Sequence, residues 1–138
     1  MDIHIQGLDN VMKDLRKARD EIQEKAYVVL KEKTDDIVDD MKMAVPIRTM
    51  KLFSTIRARV SRKKLIASIY AGGKVKGVDV DYATYVEFGT RRKSKKNKKE
   101  IYVKAQPFFY PTARKHEKEV ERRLKNIVLN SIKKGGAK

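Results

Sequence analysis

The chain has 138 residues, with 34 Lys and Arg against 18 Asp and Glu, for a formal net charge of +16. This length fits one domain over residues 1–138, since two would each be short of apolar residues to bury. The absence of cysteine excludes disulfide frameworks, thiolate metal sites and cysteine nucleophiles. No apolar run approaches the ~18 residues of a membrane span and the opening residues carry no signal-peptide core, so we expect a soluble, intracellular, basic protein with no membrane partner.

In chain order, Ile3 and Ile5 alternate with Asp2, His4 and Gln6, which predicts a short half-buried strand with His4 on its polar side. From Leu8 the period changes. Leu8, Val11, Met12, Leu15, Ala18, Ile22, Ala26, Val29, Leu30, Ile37, Met41 and Ala44 recur at helical spacing, with no Pro or Gly in residues 8–45. The spacing predicts a helix of roughly 30–35 residues, about 50 Å long, capped by Asp9 or Asn10 and ended by Pro46. Such a helix is longer than this globule needs, so one end is expected to project towards another subunit. Asp35, Asp36, Asp39 and Asp40 crowd its last turns. Their spacing admits a divalent cation, a solvated face or a basic partner, and acid at the negative pole of a helix favours the partner.

Phe53–Val60 and Leu65–Tyr70 read as a hairpin with the basic tip Ser61-Arg62-Lys63-Lys64. Gly72, Gly73 and Gly77 mark a loop. It lacks the Gly-Lys-Ser/Thr ending of a phosphate loop, so that reading fails. Residues 91–100 carry seven cations and no apolar side chain, which predicts a mobile basic loop. A C-terminal amphipathic helix follows, with Ala113, Val120, Leu124, Ile127, Val128 and Ile132 as its apolar stripe. Lys115/Glu119 and Glu119/Arg123 are candidate pairs along it, His116 is expected on the surface, and residues 133–138 are expected as a flexible tail. The fold class is α+β: a small antiparallel sheet packed by a long N-terminal helix and a C-terminal amphipathic helix.

Charge is blocked along the chain. Residues 1–46 are net −3, residues 47–64 carry seven cations and no acid, residues 91–99 are +7 and residues 114–138 are +6. Such polarity suits a specific anionic partner, with plain solubility as the alternative. Enzyme readings lack parts. The two histidines lie on predicted polar surfaces, no Gly-x-Ser-x-Gly elbow occurs, and the carboxylates do not converge from several elements. The expectation is therefore no catalytic residue, no metal and no cofactor.

Two stretches place aromatic, small and charged residues in a set order: Tyr82-Ala83-Thr84-Tyr85-Val86-Glu87-Phe88-Gly89-Thr90 and Ala105-Gln106-Pro107-Phe108-Phe109-Tyr110-Pro111-Thr112-Ala113. The first reads as a helical turn or two stopped by Gly89. In the second, Pro107 and Pro111 hold an extended lead-in that drives Phe108 and Phe109 into the core. Together they resemble the minor tail and head–tail joining proteins of long-tailed bacteriophages, the gp-ten-like neck or tail-completion family. The matching residues are Tyr82, Ala83, Val86, Glu87, Gly89, Thr90, Pro107, Phe108 and Pro111. Upstream, Val45-Pro46-Ile47-Arg48-Thr49-Met50-Lys51-Leu52 is similar to a further family element, and Thr55-Ile56 to its Ser-Ile. Met50 departs from the family's Gly, which tolerates a positive φ that Met resists, and Thr112 stands where Ala is usual.

The resemblance implies a non-catalytic virion protein at the neck, assembled in the host bacterial cytoplasm. It also implies a ring that completes the tail and joins the tail tube, or its terminator, to neck or connector proteins. Self-association as a ring of six would set Asp35, Asp36, Asp39 and Asp40 against Arg48, Arg57 and Arg59 of the next copy. The loop cations Arg91, Arg92, Lys93, Lys95, Lys96, Lys98 and Lys99 would meet an acidic protein surface or DNA passing through the ring. The competing class is a basic nucleic-acid-binding module. Against it, no helix-turn-helix, zinc or RNP signature occurs, and the basic run has no interleaved aromatics.

Overall fold

Three strands, β1 (Asp2–Gln6), β2 (Arg57–Ser61) and β3 (Ile66–Tyr70), form an antiparallel sheet in the order β1-β3-β2. The computed structural model describes residues 1–6, 19–47 and 50–136. The most apolar strand, β3, takes the centre, where both its edges are paired: Ile69 faces Ile3 and Ala58, and Ala67 faces Ile5 and Val60. Ala67 and Ile69 are fully buried. The predicted hairpin therefore forms, but its first strand begins later than the apolar pattern suggested. Residues Lys51–Thr55 are instead a short helix, α2, in which the Ser54 and Thr55 hydroxyls donate to the Lys51 and Leu52 carbonyls at 2.7 Å each. These side-chain bonds close a turn that an extended strand would leave open.

The long helix α1 (Arg19–Ala44) packs against β2, β3 and the C-terminal helix α4 (Tyr110–Gly136). Its buried stripe, Ile22, Ala26, Leu30, Thr34, Ile37 and Met41, follows the helical period and continues into Val45. The part predicted over residues 8–18 lies outside the described residues, as do the side chain of His4 and residues Arg48, Thr49 and 137–138. In α4, Val120, Leu124 and Val128 are buried and Ala113 and Ile127 half-buried, as the stripe predicted; the side chain of Ile132 is not described. Residues 133–136 continue this helix instead of leaving it as a tail, since Gly weakens a last turn without forbidding it.

The helix pair is antiparallel and laced by charge. Arg123 reaches Glu32 at 3.5 Å, Lys33 holds Glu119 at 2.7 Å, and His116 Nε2 meets Asp40 Oδ2 at 2.5 Å. The predicted partners of Glu119 along its own helix are thus replaced by Lys33 of α1. Lys33 is 8% exposed, and a buried ammonium requires a close carboxylate. His116, expected on the surface, is half-buried between the helices, where its ring nitrogen bonds the Asp40 carboxylate. The basic tip of the β2–β3 hairpin is tied to the other end of α1. Arg62 donates to Glu24 at 3.0 Å and stacks over Tyr27, while Gln23 donates to the Arg62 carbonyl.

The glycine-rich segment is a tight hairpin, β4 (Gly73–Val75) and β5 (Val78–Val80), turned at Lys76-Gly77 with φ of 47° and 82°. A positive φ at both turn residues matches the twist of the strands, so the expected loop becomes a ladder. A short helix α3 (Ala83–Phe88) follows. The basic run also differs from expectation. Residues Thr90–Lys93 (β6) and Glu100–Val103 (β7) pair, Arg91 facing Tyr102 and Lys93 facing Glu100, which confines the loop to residues 94–99. Backbone ladder bonds order this segment where side-chain burial could not.

Two outcomes follow from this packing. Met50 holds φ at 61°, a conformation that Gly accepts and Met resists, and its side chain is half exposed. Met50→Gly should therefore stabilise the fold by ~0.5–1 kcal/mol, read as a raised urea midpoint with unchanged slope. The hydrogen bond and charge of Lys33 hold the Glu119 carboxyl below its usual range near 4.5. A carboxyl with a lowered folded pKa adds stability above its unfolded value and loses it as pH falls through the folded one. Glu119→Gln should thus lower the melting temperature at neutral pH and flatten the decline of stability on acidification below about 4.5.

Candidate functional site

The two family-like stretches meet through one carboxylate. Glu87, in the last turn of α3, is 3% exposed and receives three consecutive backbone amides from the start of α4. Phe108 and Phe109 donate to Oε2 at 2.7 and 2.9 Å, and Tyr110 donates to Oε1 at 2.9 Å. Helix starts carry unpaired N–H groups and a positive pole, so a buried carboxylate there answers both demands. Pro107 and Pro111 bracket the three donors and have no N–H of their own. Every acceptor lobe used by Glu87 thus lies within its own chain.

Gly89 makes the approach possible. Its φ of 74° and ψ of 172° belong to a region open almost solely to glycine. A Cβ there would lie 2.8 Å from both the Val103 carbonyl oxygen and the Ala105 nitrogen. The Gly89 amide closes α3 onto Tyr85, and the Gln106 amide donates to the Val86 carbonyl at 2.8 Å. The chain therefore leaves α3, runs out and back through β6 and β7, and returns alongside α3. Phe108 and Phe109 enter the core fully buried, edge-on to each other at 6.1 Å, with Tyr110 packed against Phe109.

Ala83 is buried, Tyr82, Val86 and Thr90 are half-buried, and Pro107 and Pro111 are exposed. Sequence reasoning grouped Tyr82, Tyr85 and Val86 on one face, and all three line a groove of about 550 Å³. Pro46, Met50 and Leu52 form another side of it, and Thr90, Arg92 and Val103 of the β6–β7 hairpin form a wall. Lys51, Arg92 and Lys104 are its charged lining, with no carboxylate among the lining residues. The groove escaped the sequence reading because its sides come from three separate segments. One signal was present: Ile101-Tyr102-Val103 is apolar and follows directly on the basic run.

The predicted charge partners are dispersed. Asp35, Asp36 and Asp39 are exposed on α1, while Asp40 is engaged by His116. Arg59 is exposed, but Arg57 is half-buried: its Nη1 donates to the Thr55 and Gly72 carbonyls at 2.9 and 3.0 Å, and it stacks over Tyr70. Arg57 acts with Thr55, whose buried hydroxyl accepts the Gly72 amide, to fix the start of the small hairpin. Arg48 lies outside the described residues. Arg91, Arg92, Lys93, Lys95, Lys96, Lys98 and Lys99 are all exposed on the β6–β7 arm, with Arg91 over the Tyr102 ring at 5.7 Å. Among the described residues no cluster of three or more His, Asp or Glu is placed to hold a metal ion, and no helix is long and apolar enough to cross a membrane.

A small antiparallel sheet, a helix pair and a carboxylate-clamped helix start define a scaffold with surfaces to present. Residues 9–89 match the HK97-gp10-like family, described as a bacteriophage HK97-gp10 tail component. The chain belongs to this family of phage tail components. The matched region ends at Gly89, so the Pro-Phe stretch that completes the clamp lies beyond it. No curated protein and no solved structure matches the chain significantly.

The clamp sets a clear order of mutational cost. Glu87→Ala leaves buried amides unpaired, each costing ~1–3 kcal/mol, so the loss should reach about 3 kcal/mol or more. Glu87→Gln keeps one acceptor and should fall between wild type and Glu87→Ala in equilibrium urea unfolding. Gly89→Ala should be at least as costly as Glu87→Gln, because strain and collision add.

Proposed function

We propose that the chain is a structural subunit at the phage head–tail junction, assembling into a ring of six that completes the tail and joins it to the neck. Membership of the tail-component family over residues 9–89 carries this reading. Two features of the fold support it. The clamp gives a rigid body from which the β6–β7 arm projects, and α1 exposes a strip of carboxylates at its C-terminal end. On this reading the protein has no catalytic role and takes no cofactor. It sits in the virion neck after assembly in the host cytoplasm, between the tail tube or its terminator and the connector proteins.

Seven exposed cations on one arm favour a second reading, in which the arm binds nucleic acid through phosphates. The two readings separate by salt. A dedicated binder retains random-sequence duplex with an affinity that falls steeply and log-linearly with salt, whereas a ring subunit binds it weakly and keeps its assembled mass without it. The test is complementation of a phage lacking this gene product, followed by counting completed, DNA-filled particles with attached tails. The wild-type chain should restore attachment. Restored tails with no copy of the chain in the purified particle would rule out a virion role.

A further inference from the structure

We infer that the groove walled by the basic β6–β7 arm is the docking site for the acidic C-terminal end of α1 from a second copy of this chain. The inference rests on the ring reading above and names the surfaces that would make it.

The arm is a two-stranded ladder with no third strand among the described residues, and such ribbons are marginal in water unless a face is covered. Its pairing puts Thr90, Arg92, Ile101 and Val103 on one face and Arg91, Lys93, Glu100 and Tyr102 on the other. Thr90, Arg92 and Val103 of the first face line the groove, yet Val103 is still 42% exposed and Tyr85 opposite is 49% exposed. The bottom of the groove is thus apolar and open, and its charged lining is entirely cationic. An occupant must bring apolar surface and carboxylates together.

The end of α1 has that composition. Asp35, Asp39 and Met43 are one helical turn apart and share a face, with Asp36 beside them. Met43 is 83% exposed, the most exposed large apolar side chain among the described residues. A methionine is also well suited to an irregular pocket, being unbranched and polarisable. Met43 does not line the groove of its own chain, which leaves it free to meet the groove of a second copy. Of the basic partners first expected for these carboxylates, Arg57 is already bonded within its own chain and Arg48 lies outside the described residues, whereas Arg59 and the arm's cations are exposed. A contact between two different surfaces leaves each copy with one strip and one groove to offer. That is the heterologous arrangement from which rings are built.

Charge exchange tests this directly. One variant carries Asp35→Lys and Asp39→Lys; the other carries Arg92→Glu, Lys95→Glu and Lys104→Glu. All five positions are exposed, so circular dichroism should show both folded. Light scattering at low salt should give the wild-type chain an assembled mass and each variant alone a monomer, with apparent self-affinity weakened about tenfold or more. Mixed in equal amounts, the two variants should regain the wild-type mass, because every contact then joins opposite charges. Met43→Ser should weaken assembly without altering its salt dependence. Assembly of either variant alone as in wild type, or a mixture that stays monomeric, would overturn the docking site while leaving the ring itself standing. A wild-type chain that never assembles, alone or on purified tails, would overturn both. If the arm variant loses only its retention of random-sequence duplex and assembles normally, the arm is a phosphate contact and the docking site is wrong.

Discussion

One side chain holds the two halves of this protein together. Glu87 takes the Phe108, Phe109 and Tyr110 amides, and so fixes where α4 starts, which way it points, and how two phenylalanines enter the core. The bond works because the partners come ready-made: a helix start has donors and positive potential but no acceptor of its own. Gly89 and the flanking prolines are conditions of that bond. Without a glycine the backbone of residues 103–105 could not lie so close, and proline at 107 and 111 leaves the intervening amides as the ones to be satisfied.

The two long helices depend on a second, weaker set of bonds. Lys33, Glu119, Asp40, His116, Glu32 and Arg123 fix the antiparallel register of α1 and α4 where the apolar stripes alone would allow sliding. Exposed pairs of this kind contribute little each. Lys33 differs because its ammonium is buried, and leaving it alone would be costly.

Much of this was legible in the residues. The stripe from Ile22 to Met41 and the run Val120–Leu124–Val128 read as helices because burial on one side imposes a period that the sequence must carry. The Glu87-to-Phe108 pairing was visible as a resemblance, but its chemistry was not, because the bond spans 21 residues and uses backbone donors that every residue possesses. His116 and Asp40 are 76 residues apart, and nothing local marks either as a partner. The β6–β7 ladder was hidden for the opposite reason: its side chains argue for solvent, and its order comes from main-chain bonds that composition does not record. Phe53 misled because an apolar residue before a strand looks like part of it, whereas the Ser54 and Thr55 hydroxyls turn the chain there.

The filled start of α4 has a consequence for how this surface treats anions. In many folds the amides at a helix start are where a phosphate is gripped, at fixed distance and angle. Here three of those amides, at Phe108, Phe109 and Tyr110, are held by a carboxylate of the chain itself, so none of them is left to grip a phosphate. Attraction for anions on the β6–β7 arm is left to lysines and arginines on solvated side chains, which attract without fixing position. A polyanion at the α4 start meets no free amide at residues 108–110, so the carboxylate that builds the body of the subunit also closes that grip.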